Sequence, residues 1–231
     1  MEQFPSHLLG GYSKFMNGRY VTEADRYKQL AEQGQTPRTM IIACCDSRSA
    51  PETIFSVGPG ELFVVRNVAN LVPPYAPDGQ NHGTSAALEF AVQSLKIREI
   101  VVMGHGRCGG IHAALSGADK NSAGDFIGKW MGMVCTPAQE VTGYKSMTPA
   151  ERQRALEYIS VRTSLKNLLT FPQIRDLHDQ QKIALYGAWF DISTGELWVT
   201  NQGGGDFHRP PHENNEFTAD VIPKSVLVDQ H

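Results

Sequence analysis

Two short apolar runs, each ending in reactive polar residues, constrain this chain more than any other feature. The first, Thr39-Met40-Ile41-Ile42-Ala43, runs directly into Cys44-Cys45-Asp46-Ser47-Arg48. The second, Ile100-Val101-Val102-Met103, is followed by Gly104-His105-Gly106-Arg107-Cys108-Gly109-Gly110. Runs of this length bounded by polar and glycine-rich segments read as buried strands. A third apolar run, Leu62-Phe63-Val64-Val65, follows the turn Gly58-Pro59-Gly60. Helical patterns separate these strands. One spans 84–95, with Ala87, Phe90, Ala91 and Ser94 or Leu95 expected on its buried face. Another opens at Gly109-Gly110 and runs to Leu115, a weaker one covers 125–134, and a strong one covers 149–169, with Pro149 and Glu151 suited to its start. A short helix to about Gln180, a strand over 183–190 and a turn at 193–196 into Leu197-Trp198-Val199 complete the pattern. Strands alternating with helices predict a parallel sheet covered by helices. In such sheets ligands bind at the carboxyl ends of the strands, where Cys44 and His105 both lie.

The N-terminal residues read as two helices, with Leu8, Tyr12 and Phe15 at helical spacing in the first. Tyr20, Ala24, Tyr27 and Ala31 mark the second, and Thr22-Glu23-Ala24-Asp25 has the pattern of its capping box. Neither has a continuous apolar face, so both are expected to dock on another surface. The organisation expected is an arm over 1–36, an α/β unit over 37–202 and a tail over 203–231, either loose or laid across a neighbour. The chain's 231 residues with 41% apolar content suffice for one sizeable core. Charged residues make up 19%, the net charge is −3 and no basic block occurs, which argues against nucleic acid as a partner. No run approaches a membrane span, so no membrane association is expected, and the first residues lack a secretory pattern. Four cysteines do not make a disulfide framework in a chain of this length, and the expectation is a reducing cytoplasm.

Cys44, His105 and Cys108 offer two thiolates and an imidazole from two neighbouring strand ends. Zinc takes such donors tetrahedrally, and a catalytic site keeps three protein ligands and one open position. The reading is one zinc ion held by these three residues. Asp46 and Arg48 lie two residues apart in the turn and can form a charge-assisted pair. Asp46, itself two residues from a ligand, can either bind the metal or accept a hydrogen bond from a metal-bound hydroxide, and Arg48 biases that choice. Two thiolates cancel the ion's charge, so this site acidifies its water less than a three-histidine site and gains from an oriented acceptor.

At these residues the chain resembles the β-class carbonic anhydrases. Cys44-x-Asp46-Ser47-Arg48 followed by His105-x-x-Cys108-Gly109-Gly110 is similar to that family's signature, and 60–70 resembles its second strand and following loop. The resemblance is specific from about 40 to 115 and looser beyond. It implies an α/β fold with a four-stranded parallel sheet core and an added antiparallel strand, flanked by helices and preceded by an N-terminal helical arm that grips a second subunit in a homodimer or tetramer. It also implies reversible hydration of carbon dioxide to bicarbonate and a proton by zinc-bound hydroxide, with Cys44, His105 and Cys108 on zinc and Asp46 with Arg48 as the dyad. The small apolar substrate would need a narrow slot at the dimer interface. Two positions depart from the pattern. Gly58 stands where plant-like members carry a glutamine that donates to substrate. Ile41 stands where members with a regulatory bicarbonate pocket carry tryptophan, although Arg66 is present, which argues against that pocket. Cys45 is read as a non-ligand, Cys135 as a spare thiol, and His82 and His112 as ordinary polar histidines before proton shuttles.

Hydrolysis of carbonyl sulfide or carbon disulfide is the near alternative on the same fold. A more distant one reads Gly106-Arg107-Cys108-Gly109-Gly110 as a cysteine nucleophile elbow, with His178, His208 or His212 as base. It leaves Cys44, Asp46 and Arg48 unexplained. A non-enzymatic zinc module is a third.

Overall fold

The computed structural model describes residues 4–117 and 124–211. The first strand, β1 (Thr39–Cys44), follows α1 (Ser6–Asn17) and α2 (Arg19–Gln33) and leads into α3 (Pro51–Ile54) and β2 (Leu62–Asn67). Next come α4 (Gly83–Gln93), β3 (Glu99–His105), α5 (Gly109–Leu115), α6 (Ile127–Met131), α7 (Cys135–Gly143), α8 (Pro149–Leu168) and α9 (Pro172–Asp179). Strands β4 (Ala184–Phe190), β5 (Leu197–Asn201) and β6 (Gly204–His208) complete the described part. The sheet order is β2-β1-β3-β4-β5-β6. The first four strands are mutually parallel, and β5 and β6 are antiparallel additions. The α/β architecture with a four-stranded parallel core and flanking helices is as the sequence implies, with two antiparallel strands in place of one.

Register places the chemistry. Ala43 pairs with Met103, so Cys44 and His105 leave neighbouring central strands within one residue of each other. One sheet face (Met40, Ile42, Ile100, Val102, Leu185) packs under Leu88 of α4 and Val161, Leu165 and Leu168 of α8 in the main core. Full burial of each such side chain contributes roughly 1.5–3 kcal/mol. Helix α8 starts where Thr148 accepts from the Glu151 N–H at 3.3 Å and Glu151 accepts from the Thr148 N–H at 2.7 Å, a complete capping box with Pro149 in the first turn. It approaches the sheet closely because two facing strand positions are glycine. Val161 sits 2.9 Å from where a Cβ on Gly104 would lie and 3.0 Å from one on Gly187.

Four expectations shift. Helix α2 begins at Arg19 behind Gly18, and Thr22 lies inside it with its hydroxyl on the Arg19 carbonyl, so no capping box forms there. The break at Gly18 and the Arg19–Glu23 pair at 2.9 Å set this start. Helix α4 buries Thr84, Leu88, Ala91 and Val92 and leaves Phe90 49% exposed, stacked on Phe63 of the edge strand at 6.0 Å. Its sequence is apolar nearly all round, so periodicity could not choose the face and packing did. Residues 127–134 are helical, and a separate helix, α7, continues where none was expected. Beyond 202, β6 extends the sheet. Gly203, Gly204 and Gly205 have φ of 82°, 100° and 110°, a turn open to glycine, and Phe207 then buries against Tyr158 at 4.4 Å. Residues 212–231 of the expected tail lie outside the described residues. Neither α1 nor α2 has a buried residue. Among the described residues no helix is long and apolar enough to cross a membrane.

Candidate metal centre

The chain turns sharply after Cys44. Asp46 caps a short 3-10 turn over Ser47–Ser49 by accepting the Arg48 N–H at 2.9 Å. Arg66, on the neighbouring edge strand, donates to the Cys44 carbonyl at 2.8 Å and also to the Asp46 carbonyl. It thereby ties the carbonyls on either side of Cys45 to the edge strand, the Asp46 carbonyl also accepting the Ser49 N–H at 3.1 Å. On the other strand, Gly106 bonds back to Phe190 at 2.9 Å. Arg107 takes a left-handed φ of 58°, which reverses the chain so that Cys108 can cap α5.

These two turns bring Cys44, His105 and Cys108 together. Their ligand atoms all lie within 4.8 Å of one another. All three side chains are buried. The two sulfurs are 4.0 Å apart. Tetrahedral zinc with Zn–S near 2.3 Å sets its sulfurs about 3.8 Å apart, so the spacing fits. His105 Nδ1 lies 2.9 Å from the Gly106 carbonyl, which assigns the ring proton to Nδ1 and leaves Nε2 as a bare lone pair. That Nε2 is buried and has no hydrogen-bond partner among the described residues. An orphaned imidazole nitrogen facing two thiols is what a metal would satisfy, and the donor set suits zinc.

The electrostatics agree. The Cys108 S–H beside Cys44 draws the Cys44 thiol down to about 4, against the opposing effect of burial. The same contact, with burial, pushes Cys108 up. Burial works against a charge on His105, and the adjacent Cys44 sulfur more than offsets it.

Asp46 and Arg48 form a two-pronged pair. Nε reaches Oδ1 at 2.9 Å and Nη2 reaches Oδ2 at 2.7 Å. Arg48 also extends to the Arg107 carbonyl at 3.4 Å, tying the two turns to each other. The Arg48 hydrogen bonds hold the Asp46 carboxyl well below the usual carboxylate range. Oδ2 is 3.9 Å from His105 Nε2, so the carboxylate borders the donor cluster while engaged with Arg48. Cys45, just past the end of β1, is exposed and is not among the grouped donors. His82 binds Asp78 at 2.6 Å on the outside, and His112 meets Gln153 at 3.3 Å. His178 meets the backbone carbonyl of Ile183 and His208 that of Asp206, and His212 lies outside the described residues. Cys135 donates to the Met131 carbonyl at 3.8 Å.

Sequence reasoning missed Glu157. This carboxylate is 2% exposed, accepts the Cys108 N–H at 3.0 Å and accepts Trp189 Nε1 at 3.1 Å. Burial pushes its carboxyl up, against the N–H donors of Cys108, Trp189 and Gln153. A signal was present in Leu156-Glu157-Tyr158, where an acid interrupts an apolar helix face. A cleft of about 960 Å³ opens beside this residue, lined among others by Arg107, His112, Arg154 and Asp191.

Comparisons with known proteins converge on one family. A family model described as "Carbonic anhydrase" matches residues 39–197. The chain is 37% identical over 191 residues to "Beta carbonic anhydrase 5, chloroplastic" of Arabidopsis thaliana, covering 81% of this chain and 62% of that protein. It thus spans 62% of the length of that curated relative. Among solved structures, the β-carbonic anhydrase CcaA superposes with a TM-score of 0.81 at 30% identity, covering 90% of this chain and 92% of the other. A tetrameric β-carbonic anhydrase from the ascomycete Sordaria macrospora superposes at 0.72 with 29% identity, over 85% and 95% of the two chains.

Proposed function

The chain belongs to the β-class carbonic anhydrase family, and from that premise we propose that it is a zinc-dependent carbonate dehydratase interconverting carbon dioxide and water with bicarbonate and a proton. The observation that carries the reading is the bare, buried Nε2 of His105 between two thiols, bordered by a carboxylate already engaged by arginine. Cys44, His105 and Cys108 would hold the ion, one per subunit. When bound, zinc supplies Lewis acidity that lowers the pKa of water and so furnishes a nucleophile near neutral pH.

The protein's own residues do the rest. Two thiolates would neutralise the ion's charge and weaken that acidification, so the nucleophile would need an oriented acceptor. Asp46 provides it, because Arg48 keeps the carboxylate ionised and aimed. With zinc bound, Asp46 would accept a hydrogen bond from the nucleophile and so help to orient it. Arg48 also occupies both carboxylate oxygens, which disfavours migration of Asp46 onto the metal and the closed, inactive site that would result. Gly58 has no side-chain donor, so orientation of bicarbonate would fall to backbone groups or to donors elsewhere in the site. The arm over 1–36 and the unit that follows it would pair with a second copy as a homodimer or tetramer. The lack of buried residues in α1 and α2, and their exposed Leu8, Leu9, Tyr12 and Val21, support this. Thiolate ligands call for a reducing compartment such as the cytoplasm.

The test is stopped-flow carbon dioxide hydration across pH on protein whose zinc content has been measured. The rate should rise toward alkaline pH, and Asp46→Asn should lower it by about 100-fold, the scale of losing a positioned proton acceptor. Negligible turnover at every pH by zinc-loaded protein would refute the assignment. Carbonyl sulfide and carbon disulfide, assayed alongside, test the substrate class.

A further inference from the structure

We propose that Glu157, with Gln153 one helical turn before it, is a positioning clamp on the main chain of Cys108 that sets how tightly the Cys44–His105–Cys108 centre holds its metal. The inference rests on the metal-centre reading above and adds two residues from a helix remote in sequence.

Cys108 occupies a position where the backbone has no ladder of its own. It caps α5, so its N–H precedes the first intrahelical bond, and it is buried. A buried N–H without a partner costs about 1–3 kcal/mol. Glu157 Oε1 takes this N–H at 3.0 Å. The Cys108 carbonyl accepts the His112 N–H at 2.9 Å and Gln153 Nε2 at 3.3 Å. Gln153 Nε2 also reaches Glu157 Oε1 at 3.1 Å, so both ends of the residue are held by one locked pair on α8. The other oxygen, Oε2, accepts Trp189 Nε1 at 3.1 Å. The Trp189 ring lies against Gly106, where a Cβ would fall 3.1 Å from Cζ2. A single carboxylate thus fixes Cys108 directly and, through Trp189, braces the turn between His105 and Cys108.

The residue type fits this task and little else. Glutamate is among the costliest side chains to bury, and an apolar residue would serve the core better. Here three N–H donors converge on it, which an acceptor-only group satisfies completely. Glutamine would keep the shape but turn an NH2 toward one of those donors.

The experiment measures metal affinity. Zinc dissociation constants are obtained by competition with a chromogenic chelator, and the thiolate-to-cobalt band is recorded after cobalt substitution. Melting temperatures report the fold of each variant. Glu157→Gln should weaken zinc about 10–100-fold and alter the cobalt band, the scale expected for groups that orient ligands. Gln153→Ala, at a half-buried site that tolerates truncation, should weaken it toward the lower end of that range. Tyr158→Phe is the control, because Tyr158 is buried on the same helix and its hydroxyl has no partner among the described residues. It should leave zinc affinity unchanged. Wild-type affinity in folded Glu157→Gln overturns the proposal, as does wild-type affinity in Gln153→Ala if Glu157→Gln fails to fold. Equal weakening in Tyr158→Phe also overturns it, since destabilisation alone would then explain the effect. A wild-type protein that takes up neither zinc nor cobalt sinks the metal-centre reading itself, a separate and recognisable result.

Discussion

Gly104→Ala should destabilise the protein, and the same change should stabilise a Val161→Ala background. The reason is the contact between β3 and α8. A Cβ on Gly104 would lie 2.9 Å from Val161 Cγ2, 3.5 Å from Trp189 Cδ1 and 3.6 Å from Asn70 Oδ1. Carbon atoms in ordinary contact sit about 3.5–4.0 Å apart, so the overlap with valine is roughly 0.6–1.1 Å. Valine has one strongly preferred rotamer in a helix and cannot swing away. Its other methyl is already seated 3.0 Å from the Cβ position of Gly187, so moving it or α8 meets a second strand. Overpacking of this kind costs about 1–3 kcal/mol. Replacing glycine in a strand returns about 0.5–1 kcal/mol of backbone entropy. The net expectation is a loss of roughly 0.5–2 kcal/mol. In Val161→Ala the clash is gone and the new methyl fills part of the cavity, so Gly104→Ala should now gain about 0.5–1 kcal/mol. The coupling is then about 1–3 kcal/mol, well above the additivity error of about 0.3–0.5 kcal/mol. The assay is urea unfolding of the four proteins at one protein concentration and equal metal loading. Additive free energies would refute the reasoning.

Two other perturbations are read in the same way. Burial holds the Tyr158 phenol above its ordinary range, against the charge of Arg154, so the folded state keeps a proton that the unfolded chain loses near pH 10. The stability this contributes is fully present below about pH 10 and is lost as pH rises toward the folded value, at up to about 1.4 kcal/mol per pH unit. Tyr158→Phe should flatten that alkaline slope, and an unchanged slope would rule the residue out as its source. Thr148→Ala removes the hydroxyl that caps α8 and should cost about 1 kcal/mol, or about 2–4 °C in melting temperature for a chain of this size. A shift below 1 °C would mean that packing alone fixes the start of the helix.

The parts of the centre that were legible in the sequence are those made by near neighbours. Cys44 ends an apolar run, His105 and Cys108 share one turn, and Asp46 with Arg48 is a contact across two residues. Such features depend on strand ends and tight turns, and these are written in local residue types. The start of α8 was legible in part, from Pro149 and Glu151, whereas the Thr148 cap that completes it was not read. The face of α4 was not legible, because a helix apolar on most sides is oriented only by what it packs against. Strand β6 was hidden behind three glycines that read as an ending and act as a turn.

Local sequence therefore determined that this protein has strand ends carrying two thiols, an imidazole and a carboxylate–guanidinium pair, with donors of the type zinc takes. Tertiary structure alone decided that they meet. Register sets Cys44 beside His105, and Arg66 on the edge strand closes the turn. Glu157, separated from Cys108 by 49 residues, reaches its N–H because α8 can settle onto Gly104 and Gly187. The rotation and depth of that helix follow from side-chain volumes on two different strands, a condition no single stretch of chain contains.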